Sequence, residues 1–460
     1  MKKAFLMRTM QAVRVFVFVF SLMLVMVFVV NKFPSTEGWR VSAGVVDIWD
    51  GSIADSFAGG NGTNGNPYQI SNGAQLAYLA KVVNEDVNSM LYNNENIYYK
   101  LTNDIILNDT SNWQNWQDEN PKTTTLNKWT QIGSIIVSEP TDLSKAFCAN
   151  FDGGSFVVRG IYINTSDYYQ GLFGWASGST IQNIGVEQSC IKANSGIGGV
   201  AGGIVNYGSI INCYNTGVIN GANGVNVCYV GGVAGYVVGS VVNSYNTGVV
   251  TGGVVIGGVA GLIANGYGIA NSYNTGVVTG TGVVAGIGGQ GNYVGGVAGL
   301  VSCSNITNSY NIGIVTGTDD YVGGVAGYVD GNSSVAYGYY LTGIAINGIG
   351  CGTGKTITFQ TNGSMASSAN NYRKNNLLAA LNAWVKANQT NPTTYSSWKG
   401  TPYSAFVWDS KEIVGEMEEN NINTSIGDKG GCNNTNSTNA VAILPILLMM
   451  LGVAFIKSKR

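Results

Sequence analysis

Five copies of GGVAG, starting at Gly198, Gly231, Gly257, Gly295 and Gly323, constrain this chain more than any other feature. A second phrase follows the first four. It reads CYNTGVIN from Cys213, SYNTGVVTG from Ser244 and from Ser272, and SYNIGIVTG from Ser309. From GGVAG to the next YN is 14 to 16 residues, whereas the return from YN to GGVAG varies in length. The repeat therefore has a fixed half and a variable half, with a period of about 26 to 38 residues, the range of solenoids and propellers. Glycine and β-branched valine argue against helix. Segments such as YVGGVAGYV and NTGVVTG alternate small or polar residues with Val, the pattern of a half-buried strand. Four antiparallel strands of a propeller blade need more chain than this period supplies. The pattern predicts an all-β chain: a parallel β-helix with short helical segments in its end caps and hydrophobic helices at both termini.

In such a solenoid each residue stacks on its counterpart one turn away, about 4.8 Å distant. Val on Val fills the interior, Asn on Asn forms an amide ladder at a corner, and Tyr on Tyr stacks as a row. Stacked like charges would repel. Accordingly, Ala193 to Thr318 contains no Asp, Glu, Lys, Arg or His. One turn cannot bury its own face, so repetition itself supplies the stability. The variable halves become loops on one side, the longest being Thr279–Tyr293.

Composition removes several functions. The chain has no histidine, which excludes a Ser/His/Asp triad and His-ligated zinc. The net charge of −2 gives no nucleic-acid footprint. Seven cysteines are scattered without a C-x-x-C pair, so neither a zinc site nor a redox motif is expected. Cys213 stands where other copies have Ser and reads as a small buried residue. No cofactor, metal or catalytic residue is expected.

Both ends are apolar. Lys2, Lys3, Arg8 and Arg14 precede a run from Val15 to Val30, read as a signal peptide or signal anchor over residues 1–43. Ala440–Ile456, followed by Lys457, Lys459 and Arg460, reads as a transmembrane anchor with a basic tail, 440–460. Between them the expected order is an N-terminal capping region (44–126), β-helix repeats (127–350), a C-terminal cap (351–410) and a flexible stalk (411–439). In the first cap, Leu76, Leu79, Ala80 and Val83 have helical spacing, with Asn72 and Gln75 as a capping box. Strands are expected in IYYKLTNDIIL, KWTQIGS and ANFDGGSFVVRGIYIN. In the second cap, Asn375–Asn388 reads as a helix and YSAFVWDS as a closing strand.

Each hint of chemistry has a plainer reading. GIGCGTGKT (Gly348–Thr356) resembles a phosphate loop, but Ile349 stands where the first glycine is required, so it reads as a Gly-rich exit loop. A polysaccharide-acting β-helix enzyme needs paired carboxylates, or Asp with Arg or Lys, on one face. The acidic candidates are Asp152, Asp167, Glu187, Asp319, Asp320 and Asp330. Asp319–Asp320 read as a solvated corner. Tyr214, Tyr245, Tyr273, Tyr293 and Tyr310 could line a sugar-stacking strip or, on the plainer reading, form a structural ladder.

The phrases also resemble a known family. GLFG at Gly171–Gly174 followed by SGSTIQNIGV is similar to the GLUG motif of bacterial and archaeal surface proteins. FDGGSFVVRGIYIN and GTNGNPYQISNGAQLAYLAKVVN resemble segments that precede that motif. The likeness spans roughly Ile48 to Trp408. One segment departs from the pattern, with GGSF where the family has GNGH. Similar repeats occur in filamentous-haemagglutinin-type adhesins and beside IgA-cleaving metallopeptidase domains. The resemblance implies a right-handed parallel β-helix at the cell surface, with adhesion the usual role and no catalytic residues to transfer. The expectation is therefore a non-catalytic adhesin or display module anchored in the membrane. Its expected partners are host or environmental glycans and proteins, or neighbouring cell-envelope components. A structural coat component and a polysaccharide-acting enzyme are the alternatives.

Overall fold

A computed structural model describes residues 47–85, 87–120, 122–135, 142–222, 228–282, 292–318, 321–360, 376–389, 394–400 and 405–406. The expected signal segment, stalk and membrane anchor lie outside these residues. Among the described residues no helix is long and apolar enough to cross a membrane.

The repeat winds into a right-handed parallel β-solenoid of about nine turns. One turn runs through Ala234–Val242, Tyr245–Asn246, Val250–Gly252 and Val255–Gly257 before the next begins at Ala260. Turns pair residue for residue. Ala201, Ala234, Ala260, Ala298 and Ala326 are stacked partners, as are Tyr214, Tyr245, Tyr273, Tyr310 and Tyr339. Inside, Val200, Val233, Val259, Val297 and Val325 form a fully buried row. Each such valine contributes roughly 1.5–3 kcal/mol.

The YNTG phrase has a specific role. Asn215, Asn246, Asn274 and Asn311 are buried in line, and the Nδ2 of each of the first three donates to the Oδ1 of the next at 2.8–2.9 Å. Each amide also closes on the glycine two residues later: Asn246 Nδ2 donates to the Gly248 carbonyl while Asn246 Oδ1 accepts from its N–H. That glycine is obligatory, because a Cβ on Gly248 would stand 1.9 Å from the Gly217 carbonyl oxygen. The second glycine of GGVAG faces the same ladder; a Cβ on Gly232 would meet the Asn246 side chain at 2.2 Å.

A second amide ladder follows the corner before YN. Asn183, Asn212, Asn243, Asn271 and Asn308 all have positive φ, a conformation asparagine tolerates. Here each Nδ2 donates backwards to the preceding turn's Oδ1 at 2.7–3.0 Å. The first of them, Asn183, donates to the Asp152 carboxylate. Beside this ladder runs a hydroxyl row, in which the Cys213, Ser244 and Ser272 N–H groups donate to Ser244, Ser272 and Ser309 Oγ.

Four expectations need correction. The solenoid starts before residue 127, because Tyr68–Ile70, Tyr98–Leu101 and Asn150–Asp152 already stack as parallel rungs. KWTQIGS is not a strand. It makes one bridge, Ile132 to Phe173, with scattered backbone bonds such as Trp129 N–H to the Tyr162 carbonyl, and Trp129 Nε1 donates to the Leu172 carbonyl. Helix α1 (Gly73–Asn84) forms as expected with Asn72 accepting from Gln75 N, but Gln75 Oε1 takes the Ser71 N–H and not that of Asn72.

The fourth correction concerns the C-terminal cap. Leading into it, Asn347–Gly352 and Thr356–Phe359 complete the last turn. Helix α2 (Leu377–Asn388) and the antiparallel pair Trp398–Lys399 with Ala405–Phe406 then lie along the flank of the solenoid, not across its end. The reason is the amide ladder. Asn243 and Asn271 Nδ2 donate to the Thr394 and Ser396 carbonyls, and Asn308 Nδ2 to that of Leu381. Trp398 Nε1 donates to Asn271 Oδ1 at 2.7 Å. The flank supplies unspent hydrogen-bonding groups that solvent or chain must satisfy.

Candidate functional site

The expected tyrosine strip divides. Tyr214, Tyr245, Tyr273 and Tyr310 stack with centroids 4.7–5.0 Å apart and planes within 8°. All four are buried, so this row is the structural ladder and not an open sugar platform. The flanking strap covers it: Trp398 lies 5.8 and 5.6 Å from Tyr273 and Tyr310, and Phe406 5.4 Å from Tyr273. Tyr293 belongs elsewhere, as described below.

At the N-terminal end of the ladder the structure assembles a charged chain that the sequence spacing hid. Tyr214 Oη donates to Glu187 Oε1 at 2.6 Å. Arg159 Nε donates to Glu187 Oε2 at 3.0 Å, and Arg159 Nη1 to Asp104 Oδ2 at 2.9 Å. Burial pulls the Arg159 guanidinium down, but the hydrogen bonds and charges of Asp104 and Glu187 outweigh it and hold it above its ordinary value. Asp104 and Arg159 come from separate turns and were absent from the acidic list. Only their register on one face, Ile106 beside Arg159 beside Glu187, brings them together. Glu187 is 8% exposed with both oxygens engaged, the arrangement of a brace.

The remaining candidates stay apart. Asp152 accepts from Asn183 and from the Gly154 N–H. Asp167 closes a local turn with Thr165. Asp330 caps a corner: burial pushes its carboxyl up, but Ser333, Ser302 and the Cys303 and Asn332 N–H groups hold it below the usual carboxylate range. Asp319 and Asp320 lie outside the described residues. Gly348–Thr356 lies within the last turn, in Asn347–Gly352 and the start of Thr356–Phe359, so its backbone is committed to strand pairing. No cluster of three metal-ligating side chains occurs among the described residues. Cys190, Cys213 and Cys228 are buried as expected, and burial pushes the first two thiols up to about 12 and the third to about 11.

The strongest candidate is the variable corner. Six successive turns cross from a VVTG-type strand to a YVG-type strand at this corner. The connection ranges from Asn194 alone to residues 281–292, with 165–167, 222–228, 253–254 and 317–321 between these extremes. Tyrosines border it: Tyr168 and Tyr169, Tyr229, Tyr293 and Tyr321. They meet an outer row on the adjoining GGVAG strands. Tyr169 packs edge-on against Trp175 at 4.4 Å and Tyr229 against Tyr236 at 5.5 Å, while Tyr293 lies tilted by 39° against Tyr328 at 5.2 Å. Burial pushes the Tyr169 and Tyr293 phenols up to about 12, so they remain neutral donors. Tyr229 and Tyr293 are themselves buried and brace the corner, so the rings it can offer are exposed Tyr168 and half-buried Tyr169, Tyr321 and Tyr328, beside connections that carry Asp167, Asp319 and Asp320.

No family model matches the chain, and no curated protein matches it. Among solved structures it is similar to a candidate immunoglobulin A1 protease from Bacteroides ovatus, at 20% identity over 77% of this chain and 96% of that one, with a TM-score of 0.47.

Proposed function

We propose that this protein is a surface-displayed, membrane-anchored binding module of the adhesin type, in which the solenoid is a rigid non-catalytic support. The observation that carries this reading is the concentration of length variation at one corner, bordered by tyrosines, while the stacked rows stay nearly invariant. Loops held by a rigid frame are where binding residues concentrate. The GLUG-like phrases and the apolar ends support exposure on a cell.

Solid-phase binding of the full-length chain to mucins, matrix proteins, glycans and purified envelopes tests it. Saturable binding that falls when residues 283–291 are replaced by Gly-Gly is expected. Binding only to its own envelope or to itself would instead support a coat component. One row favours that second reading: Val249, Val277 and Ile314 stand exposed in neighbouring turns, an apolar stripe suited to lateral association. Turnover of any tested glycan would overturn the non-catalytic reading.

A further inference from the structure

A different corner, between the GGVAG strand and the strand that leads to YN, carries a second surface. Here the turns differ by only two residues. Ala234 to Ser240 is the short form, while Ala201 to Ser209 and Ala260 to Gly268 bulge on either side of it. Each bulge presents a tyrosine to solvent. Tyr207 is 65% and Tyr267 75% exposed. Two turns separate their backbones by about 9.6 Å, yet the rings converge to 5.9 Å with an interplanar angle of 55°. The short turn between them leaves the space into which they lean.

The backbone adds an independent observation. Tyr207 has φ +61°, directly after Asn206 at +53°. A left-handed conformation costs a bulky residue roughly 1–2 kcal/mol, and in the next bulged turn that conformation falls on Asn265, a residue that tolerates it, and not on Tyr267. Strain of this kind persists where the side chain has a use.

We propose that Tyr207 and Tyr267 form a stacking site for an uncharged glycan. Ring faces pack on the C–H faces of pyranoses, and the phenols reach sugar hydroxyls. The charge pattern selects against acidic sugars. The turns that carry the pair hold no cation, and the nearest carboxylate along this corner, Asp330 beside Cys303, is held ionised. The site lies away from the variable corner, so the two readings can fail separately.

Affinity electrophoresis of the full-length chain in detergent provides the test, with mixed-linkage glucan, galactomannan and arabinoxylan as neutral probes and polygalacturonate as the acidic one. At least one neutral polymer should retard the chain and polygalacturonate should not. Tyr207→Asn suits the left-handed backbone, so it should keep or raise the Tm while weakening retardation about tenfold, a loss of one strong contact. Tyr267→Ser should weaken it similarly, and Ile53→Ser, at an exposed residue of the N-terminal cap, should not. Replacing 283–291 with Gly-Gly should leave it unchanged. The proposal is overturned if no neutral polymer retards the wild type, if polygalacturonate does so equally, or if Tyr207→Asn stays within twofold of wild type.

Discussion

Asn246 illustrates how much one side chain does in this fold. Its amide holds Asn215 in one turn, Asn274 in another and both backbone groups of Gly248. Asn246→Ala leaves several buried groups unpaired, each worth about 1–3 kcal/mol, and should destabilise the chain by about 3 kcal/mol in denaturant titration. Asp330 gives a pH signature. Its folded-state carboxyl is held below the ordinary value, so its contribution is fully present above about pH 4–5 and is lost as pH falls through the lowered value. Thermal melts of wild type and Asp330→Asn should differ at pH 7, with a gap that shrinks as the pH is taken below the ordinary carboxylate range; a constant gap would contradict the assignment. At this scale the sequence was legible in part. The repeated Asn and Tyr announced ladders, because stacking forces identity from turn to turn. The left-handed asparagines were not separable from the inner ones, since both occur in the same short NSYN phrase.

Among the elements, the C-terminal strap was legible as a helix and a strand but not as a flank. Helical spacing is local, whereas its docking partners, Asn243, Asn271 and Tyr273, lie more than a hundred residues away in sequence. Nothing in NNLLAALNAWVKAN specifies whether it covers an end or a side. The Asp104–Arg159–Glu187 chain was missed for the same reason. Trp398→Ala removes a buried indole and its bond to Asn271, a change of about 3–5 kcal/mol for a core tryptophan. Hydrogen exchange should show residues 377–399 losing protection while the solenoid keeps its own. Equal loss throughout would mean that strap and solenoid unfold as one unit.

For the whole molecule, the identical register of successive turns makes a sharp prediction. Removing residues 234–259 joins Val233 to Ala260 and excises one complete turn, so every ladder closes on an equivalent partner. This shortened chain should remain folded with a parallel-β circular dichroism spectrum. Excising 234–246 moves the GGVAG row under the VVTG row and should give an insoluble product. Nearest-neighbour stability of this kind is the rule in linear repeats.

The two amide ladders run against each other. In the inner one each amide-to-amide bond is donated toward the C-terminal end of the stack, and in the outer one toward the N-terminal end, where the Asp152 carboxylate receives the last of them. Their aligned dipoles therefore oppose, and the backbone of a β-sheet adds little of its own. A rod that grows by stacking would otherwise accumulate a field along its axis and attract its fellows head to tail. In this one the two side-chain ladders offset each other as turns are added, so lengthening the stack adds little net dipole from them.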